Sequence, residues 1–259
     1  MSDSVLLVTG GGSGIGRAVA LLAARSGFRV AVLARSADSV RGVADEASRL
    51  GAPKAVGIAC DVTSEEAVVA AFDAAEEQLG PLSGLFANAG IEQPRLAHEL
   101  SLEMWNAVIA TNLTGTFLTC RQALRCMLKS GRRGSLVLCS SPASFAAFAG
   151  GGASSYSASK GGISSLMRTL AVDYAKYGIR VNAVVPGATD TPLTWAGLSR
   201  DQKDVLRDTL SREIPLGRLA DPEEPAEAVL WLLSEQARYV TGSHLVCDGG
   251  ILAKASISA

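Results

Sequence analysis

Short apolar runs alternate with longer amphipathic stretches along the whole chain, and this alternation most constrains the fold. Strands are predicted at 5–9, 29–34, 55–60, 84–88, 135–140, 180–185 and 244–247. Several are apolar at successive positions, as expected when helices cover both faces of a parallel sheet. Helices are predicted between them, at 16–26, 37–50, 64–79, 102–130, 155–177 and 222–234. The pattern predicts an α/β, Rossmann-type doubly wound parallel sheet of about seven strands.

The chain is interpreted as a single domain over 1–259, because it contains no linker, repeat or low-complexity segment. One stretch, 191–219, interrupts the alternation with mixed apolar and charged residues, including Trp195, Leu198, Leu206 and Leu210. Short helices over a cleft would explain it, which makes it a candidate substrate lid. A plain surface excursion is an equally good interpretation.

Composition argues against several classes of protein. A formal net charge of −1 does not suit a nucleic-acid binder. No apolar run approaches the ~20 residues that span a membrane, and the run at 5–8 is a strand rather than a signal peptide. The 5 cysteines lack C-x-x-C spacing, which predicts reduced thiols in a cytoplasmic protein. His98 and His244, the only histidines, lie far apart in sequence, so no metal site is expected.

A glycine-rich turn follows the first predicted strand and leads directly into a helix. It contains Gly10, Ser13, Gly14, Ile15 and Gly16 in the spacing G-x-x-x-G-x-G. Glycines let the backbone turn sharply and approach a pyrophosphate, which binds the free N–H groups of the helix N-terminus. The turn therefore predicts a dinucleotide site.

With further motifs in a fixed order, this turn resembles the short-chain dehydrogenase/reductase family from residue 5 to about 250. The matching segments are Asp61-Val62, Asn88-Ala89-Gly90, Asn112, Tyr156-Ser157-Ala158-Ser159-Lys160, Pro186-Gly187 and Asp248-Gly249-Gly250. The resemblance implies an NAD(P)-dependent oxidoreductase, a carbonyl reductase or alcohol dehydrogenase, with a small-molecule carbonyl or alcohol substrate. It also implies a homotetramer or homodimer, formed through the helices at 102–130 and 155–177.

The resemblance assigns parts of the cofactor to these segments. Asp61 and Val62 would flank the adenine, and the segment 88–90 would lie along the adenosine ribose and the sheet edge. The same segment is also consistent with a simple strand-ending turn. The nicotinamide end would be held by four residues after the sixth strand, Pro186, Gly187, Thr189 and Thr191.

The end of the second strand indicates which nicotinamide nucleotide is bound. In an NAD site, a carboxylate about 20 residues beyond the glycine turn accepts hydrogen bonds from the ribose 2′-hydroxyl. Ala34 occupies that position here, followed by Arg35 and Ser36. A guanidinium can bind a 2′-phosphate with charge-assisted hydrogen bonds. We therefore expect NADP(H); an Arg35 that is merely solvated would leave NAD(H) as the alternative.

Tyr156 and Lys160 carry the predicted chemistry. They are four residues apart at the start of a helix and share one face, so the ammonium is expected to lower the tyrosine pKa. By resemblance, Lys160 also bonds the nicotinamide ribose. Ser141, at the end of the fifth strand, would polarise the substrate oxygen. Its separation from Tyr156 is longer than usual in the family, which leaves Ser144 as an alternative.

The resemblance implies a carbonyl reduction in which Tyr156 donates the proton. Asn112 would bend its helix and hold a water that resupplies protons toward Lys160, although an asparagine inside a helix can also simply bond a backbone group. A nicotinamide-binding regulator without turnover is the alternative from another functional class. Six residues are candidates for the substrate pocket: Glu92, Gln93, Phe145, Phe148, Trp195 and Leu198.

Overall fold

The fold is that of a computed structural model that describes residues 4–254. Its seven strands all pair in parallel, in the order β3-β2-β1-β4-β5-β6-β7. They are β1 Val5–Thr9, β2 Arg29–Ala34, β3 Ala55–Ala59, β4 Gly84–Ala87, β5 Gly134–Cys139, β6 Ile179–Pro186 and β7 His244–Cys247. Each predicted strand is confirmed, with bounds that differ by at most one residue.

Eight α-helices surround this sheet in the described part of the chain. They are α1 Gly14–Arg25, α2 Ala37–Arg49, α3 Glu65–Leu79, α4 Leu102–Ile109, α5 Gly115–Ser130, α6 Ser154–Tyr174, α7 Arg200–Glu213 and α8 Glu223–Leu233. One apolar core joins α1, α2 and α8 to the sheet, and a second joins α3, α5 and α6 to it. Helices therefore cover both faces, which confirms the doubly wound α/β fold.

The predicted helix at 102–130 is not continuous. A π-helical turn, Ala110–Thr114, separates α4 from α5, and Asn112 at its centre is fully buried. The side chain of Asn112 leaves the helix to bond the loop after β4. The hydroxyl of Thr116 donates to the Asn112 carbonyl oxygen at 2.6 Å. A single wide turn of this kind commonly marks a functional position in a helix.

The stretch 191–219 contains one regular helix, α7. It begins with a capping box, in which Ser199 accepts from the backbone N–H of Gln202 at 3.3 Å and the Gln202 side chain accepts from Ser199 at 2.8 Å. No residue of α7 is buried. The helix is therefore held to the domain by few apolar contacts.

Among residues 4–254, no helix has the length and apolar character needed to cross a membrane.

The five cysteines are unpaired, and four of them are buried. Burial raises the pKa of the Cys120 thiol to about 12 and that of Cys60 to about 11.

Candidate active site

A cleft of about 2110 Å³ lies at the carboxyl ends of the strands. Its walls come from the turn after β1, the residues that follow β2 to β6, and one side of α7. The strand order reverses between β1 and β4, and open α/β sheets bind ligands at such a switch point. Most of the residues predicted to bind the cofactor line this one cleft; Gly16 packs behind it.

The glycine turn is packed against the end of β4. Gly10 has a φ of 63°, and a Cβ on Gly16 would lie 2.6 Å from the Asn88 side-chain nitrogen. That nitrogen donates to the carbonyl oxygens of Thr9 and Gly10, each at 3.2 Å. The hydroxyl of Ser13, which precedes α1, caps no backbone N–H of the helix. The first N–H groups of α1 thus face an open cradle that fits a pyrophosphate.

The adenosine end of the cleft carries one basic side chain and one acidic one. Arg35 is exposed, lines the cleft, and makes no hydrogen bond or ion pair with another described residue. Asp61 accepts from the backbone N–H of Thr63 at 2.9 Å and from its hydroxyl at 2.8 Å. The backbone bond is the main cause of the lowered pKa of Asp61, and Arg35 adds to it. Ala34 leaves the end of β2 without a carboxylate.

The opposite end is formed after β6. Gly187 packs so closely on Asp248 that a Cβ would lie 2.6 Å from the Asp248 Cα. The Asp248 carboxylate accepts from the backbone N–H groups of Gly250 and Leu252, both at 2.8 Å. The segment 248–250 therefore lies behind Gly187 and determines the position of this part of the cleft wall. Thr189 donates to the Gly187 carbonyl oxygen at 3.0 Å, while Pro186, Gly187, Thr189 and Thr191 all line the cleft.

Tyr156, Lys160 and Ser141 meet at the centre of the cleft. Lys160 is only 3% exposed, and its ammonium donates to the Cys139 carbonyl oxygen at 2.7 Å. The same nitrogen lies 5.4 Å from the centre of the Tyr156 ring. Ser141 lies on the same cleft wall and lowers the pKa of Tyr156. The strand end and the helix α6 thus bring a serine hydroxyl, a phenol and an ammonium together.

The pKa of Tyr156 is raised above its usual value of 10, mainly by burial. Lys160 lowers it, as predicted, and so does Ser141. Desolvation disfavours the phenolate more strongly than these two groups favour it, so the net pKa of Tyr156 is raised. Tyr156 is therefore protonated at neutral pH, which suits a proton donor.

The two candidate serines have different surroundings. Ser141 lines the cleft, and its hydroxyl accepts from the backbone N–H of Ala143 at 3.2 Å. The Ser144 hydroxyl donates to the Ser141 carbonyl oxygen at 2.7 Å and accepts from Ser140 at 3.1 Å. Ser144 is not among the described residues that line the cleft. This geometry favours Ser141 over Ser144.

Asn112 lies behind the cleft rather than in its lining. Its side-chain oxygen accepts from the Ile91 N–H at 2.8 Å. Its side-chain nitrogen donates to the Ile91 carbonyl oxygen at 2.9 Å and to the Ser159 hydroxyl at 3.1 Å. One amide thus joins the loop after β4 to α6, next to Lys160.

The substrate end of the cleft differs in part from the expectation. Glu92, Gln93 and Phe148 line it, whereas Phe145, Trp195 and Leu198 do not. The Trp195 indole instead donates to Asp190 at 2.6 Å and stacks under Arg207. Four residues of α7 also line the cleft; Leu206 and Leu210 were named in the candidate lid, whereas sequence reasoning missed Thr209 and Glu213. The segment Ser199-Arg200-Asp201-Gln202 could have revealed the helix, because it has the pattern of a capping box.

The fold and this cleft define a dinucleotide-binding α/β protein. Residues 10–252 match a family model described as enoyl-(acyl carrier protein) reductase. The chain is 44% identical to cis-4-hydroxycyclohexanecarboxylate dehydrogenase of Sinomonas cyclohexanicum, over 97% of this chain and 98% of that one. It is 39% identical to 2,5-dichloro-2,5-cyclohexadiene-1,4-diol dehydrogenase of Sphingobium indicum, over 98% of each chain.

Solved structures give the same result. A short-chain dehydrogenase/reductase from Mycobacterium marinum superposes with a TM-score of 0.92 at 36% identity, covering 98% of this chain and 97% of that one. Levodione reductase gives a TM-score of 0.92 at 31% identity, covering 98% and 100%. The chain belongs to the short-chain dehydrogenase/reductase family, and it is an oxidoreductase that uses a nicotinamide cofactor.

Proposed function

We propose that the protein is an NADP-dependent oxidoreductase that interconverts a ketone and a secondary alcohol, with Tyr156 as acid and base. The observation that carries the proposal is the grouping of Tyr156 with the buried Ser141 and Lys160 in the lining of one cleft. When bound, the nicotinamide ring supplies or accepts the hydride. The protein's own residues bind, orient and move the proton.

The proton chemistry follows from the surroundings of Tyr156. The phenol is protonated at neutral pH, so it can donate to the oxygen of a ketone as that oxygen becomes an alkoxide. Ser141 supplies a second hydrogen bond to the same oxygen. Lys160 favours the phenolate electrostatically, which makes the reverse transfer easier in alcohol oxidation. Asn112 acts as a positioning residue, because its amide fixes Ile91 and Ser159 rather than facing the cleft.

The preference for NADP rests on Arg35 and Ser36. The Arg35 guanidinium is unpaired among the described residues, and Ser36 stands at the N-terminus of α2. A phosphate there would gain a bidentate partner and the positive end of a helix. A carboxylate, which would repel the phosphate, is missing from the end of β2.

The proposal also covers the substrate class, the oligomeric state and the localisation of the protein. The names of the relatives from Sinomonas and Sphingobium contain alcohols on six-membered carbocycles, which supports a small carbonyl or alcohol substrate for this chain. Exposed apolar side chains on α5 and α6, among them Phe117, Leu128 and Val172, support a homotetramer or homodimer formed through these helices. We assign the protein to the cytoplasm on the basis of its free cysteines.

The chemistry is tested with Tyr156→Phe, which removes one hydroxyl. We expect the variant to bind NADPH as the wild type does, measured by nicotinamide fluorescence, but to lose at least ~10²-fold in turnover of cyclohexanone. A variant that kept wild-type turnover would refute the role of Tyr156. Wild-type protein that bound NADPH but reduced no carbonyl would favour a regulator without turnover.

The nucleotide preference is tested with Arg35→Asp. We expect NADPH binding to weaken by about 10–100-fold, as the loss of a charged hydrogen bond implies, while NADH binding improves or stays the same. Lys54→Asp changes the charge equally at an exposed position outside the cleft and is the matched control. Equal NADPH affinity in wild type and Arg35→Asp would contradict the assignment.

A further inference from the structure

Glu92 is a carboxylate in the cleft that neither the fold nor the proposed proton transfer uses. It follows β4 and lines the cleft together with Tyr156 and Lys160. Its charge raises the pKa of Tyr156, and Lys160 in turn lowers the pKa of Glu92, so the three groups interact electrostatically. Glu92 therefore shares the cleft with the group proposed to transfer the proton.

The backbone around Glu92 is fixed on both sides. Asn112 bonds both the N–H and the carbonyl oxygen of Ile91, the preceding residue. The backbone N–H of Arg95 donates to the Gly152 carbonyl oxygen at 2.9 Å, which joins the segment to the residues before α6. The backbone that carries Glu92 is thus held in place before a ligand arrives, which lowers the entropic cost of binding.

The Glu92 carboxylate lacks a hydrogen-bond donor. No residue in the range 4–254 donates to it, and burial raises its pKa. Glu92 is half-buried, and a partly desolvated carboxylate without a protein donor can gain a hydrogen bond from a ligand that carries one. The carboxylate is therefore an unfilled acceptor inside the substrate end of the cleft.

The geometry points to Glu92 as a specificity-determining residue that accepts a hydrogen bond from a second, neutral hydroxyl of the substrate. The substrate class is then a diol or hydroxyketone rather than a simple alcohol or ketone. A cationic donor is disfavoured, because the Lys160 ammonium already supplies positive charge beside Glu92. An anionic group is also disfavoured, because the Glu92 carboxylate would repel it. This inference rests on the proposed function, since it concerns the substrate of the same site.

The test compares cyclohexanol with the cis and trans isomers of 1,2-, 1,3- and 1,4-cyclohexanediol, oxidised with NADP⁺. The quantity measured is the ratio of kcat/KM for each diol to kcat/KM for cyclohexanol. In the wild type, we expect at least one diol to be preferred by about 10–100-fold, the range for a hydrogen bond to a charged group. Glu92→Leu should abolish this preference, and Glu92→Gln, which keeps an acceptor oxygen, should retain part of it.

Glu99→Leu is the matched control, because Glu99 is exposed in the same connecting segment and does not line the cleft. The ratio of kcat/KM for each diol to kcat/KM for cyclohexanol should be the same in Glu99→Leu as in the wild type. A preference that survives in Glu92→Leu, a preference for trans-4-aminocyclohexanol, or a wild type that oxidises cyclohexanol but none of the diols would each overturn the inference. Failure of the proposed function is distinguishable, since the wild type would then oxidise neither cyclohexanol nor any diol.

Discussion

Substituting Gly16 by alanine perturbs the glycine turn at its tightest point. A Cβ there would lie 2.6 Å from the Asn88 side-chain nitrogen and closer still to the Gly10 carbonyl oxygen. Because Cβ atoms essentially never approach other atoms below 3.0 Å, the nitrogen must retreat by about 0.4 Å and the oxygen by more. That displacement breaks the bonds from Asn88 that hold the turn.

The magnitude follows from two opposing effects. Forced packing costs about 1–3 kcal/mol of folding free energy. Alanine recovers ~1 kcal/mol in helix α1, because it is the better helix former. We therefore expect a net loss of up to ~2 kcal/mol, which lowers Tm by only a few degrees in a chain of this length. Nucleotide binding should suffer more, by ~10–100-fold, since small misplacements of binding groups are costly.

The assay pairs thermal unfolding with an NADPH fluorescence titration. Gly42→Ala is the control, because Gly42 lies on the exposed side of α2 and a Cβ there meets nothing within 4 Å. That variant should gain ~1 kcal/mol in stability and bind NADPH as the wild type does. Wild-type NADPH affinity in Gly16→Ala would refute the reasoning that this contact shapes the cofactor site.

Two further variants test the groups around the reacting tyrosine. Lys160→Met removes the charge that lowers the pKa of Tyr156, so the rising limb of the pH profile of alcohol oxidation should move to higher pH. Lys176→Met, which removes a lysine near an exposed tyrosine, should leave the profile unchanged, and an unmoved limb in Lys160→Met would contradict the electrostatic role. Asn112→Ala leaves both backbone groups of Ile91 without their hydrogen-bond partner, so the free energy of unfolding should fall by ~2–4 kcal/mol, measured by urea denaturation. A decrease below ~1 kcal/mol would contradict the inference that the Asn112 side chain holds Ile91 in place.

The strands could be predicted because an unbroken run of apolar residues indicates burial on both faces of the sheet. In β1 and β4 every residue is buried, since helices cover both faces, and a short unbroken apolar run is typical of such a strand. The cofactor turn was equally predictable, because glycine is selected at positions such as Gly10, where φ is positive. The cleft residues after each strand followed from the rule that parallel strands end at one edge.

Other features depend on tertiary contacts that sequence patterns do not encode. The π-helical turn at 110–114 depends on the hydrogen bond between the Asn112 side chain and the backbone of Ile91, which is distant in sequence. The pKa of Tyr156 depends on how completely the ring is buried, whereas only its lysine neighbour is visible in the sequence. Short helices were expected within 191–219, but the bounds of α7 could not be predicted, because this helix buries no residue and so leaves little apolar periodicity.

The weak anchoring of α7 has a consequence for how the cleft opens. Its polar contacts with the rest of the domain include the hydrogen bond from Arg207 to the Asp190 carboxylate and that from the Lys254 ammonium to the Glu213 carbonyl oxygen, both at 3.3 Å. Elements with few buried contacts open locally at a small fraction of the global unfolding free energy. Amide protons of α7 should therefore exchange with solvent long before those of α6, which carries Tyr156. We therefore expect molecules of substrate size to enter and leave through this wall while the sheet and the group proposed to transfer the proton keep their native arrangement.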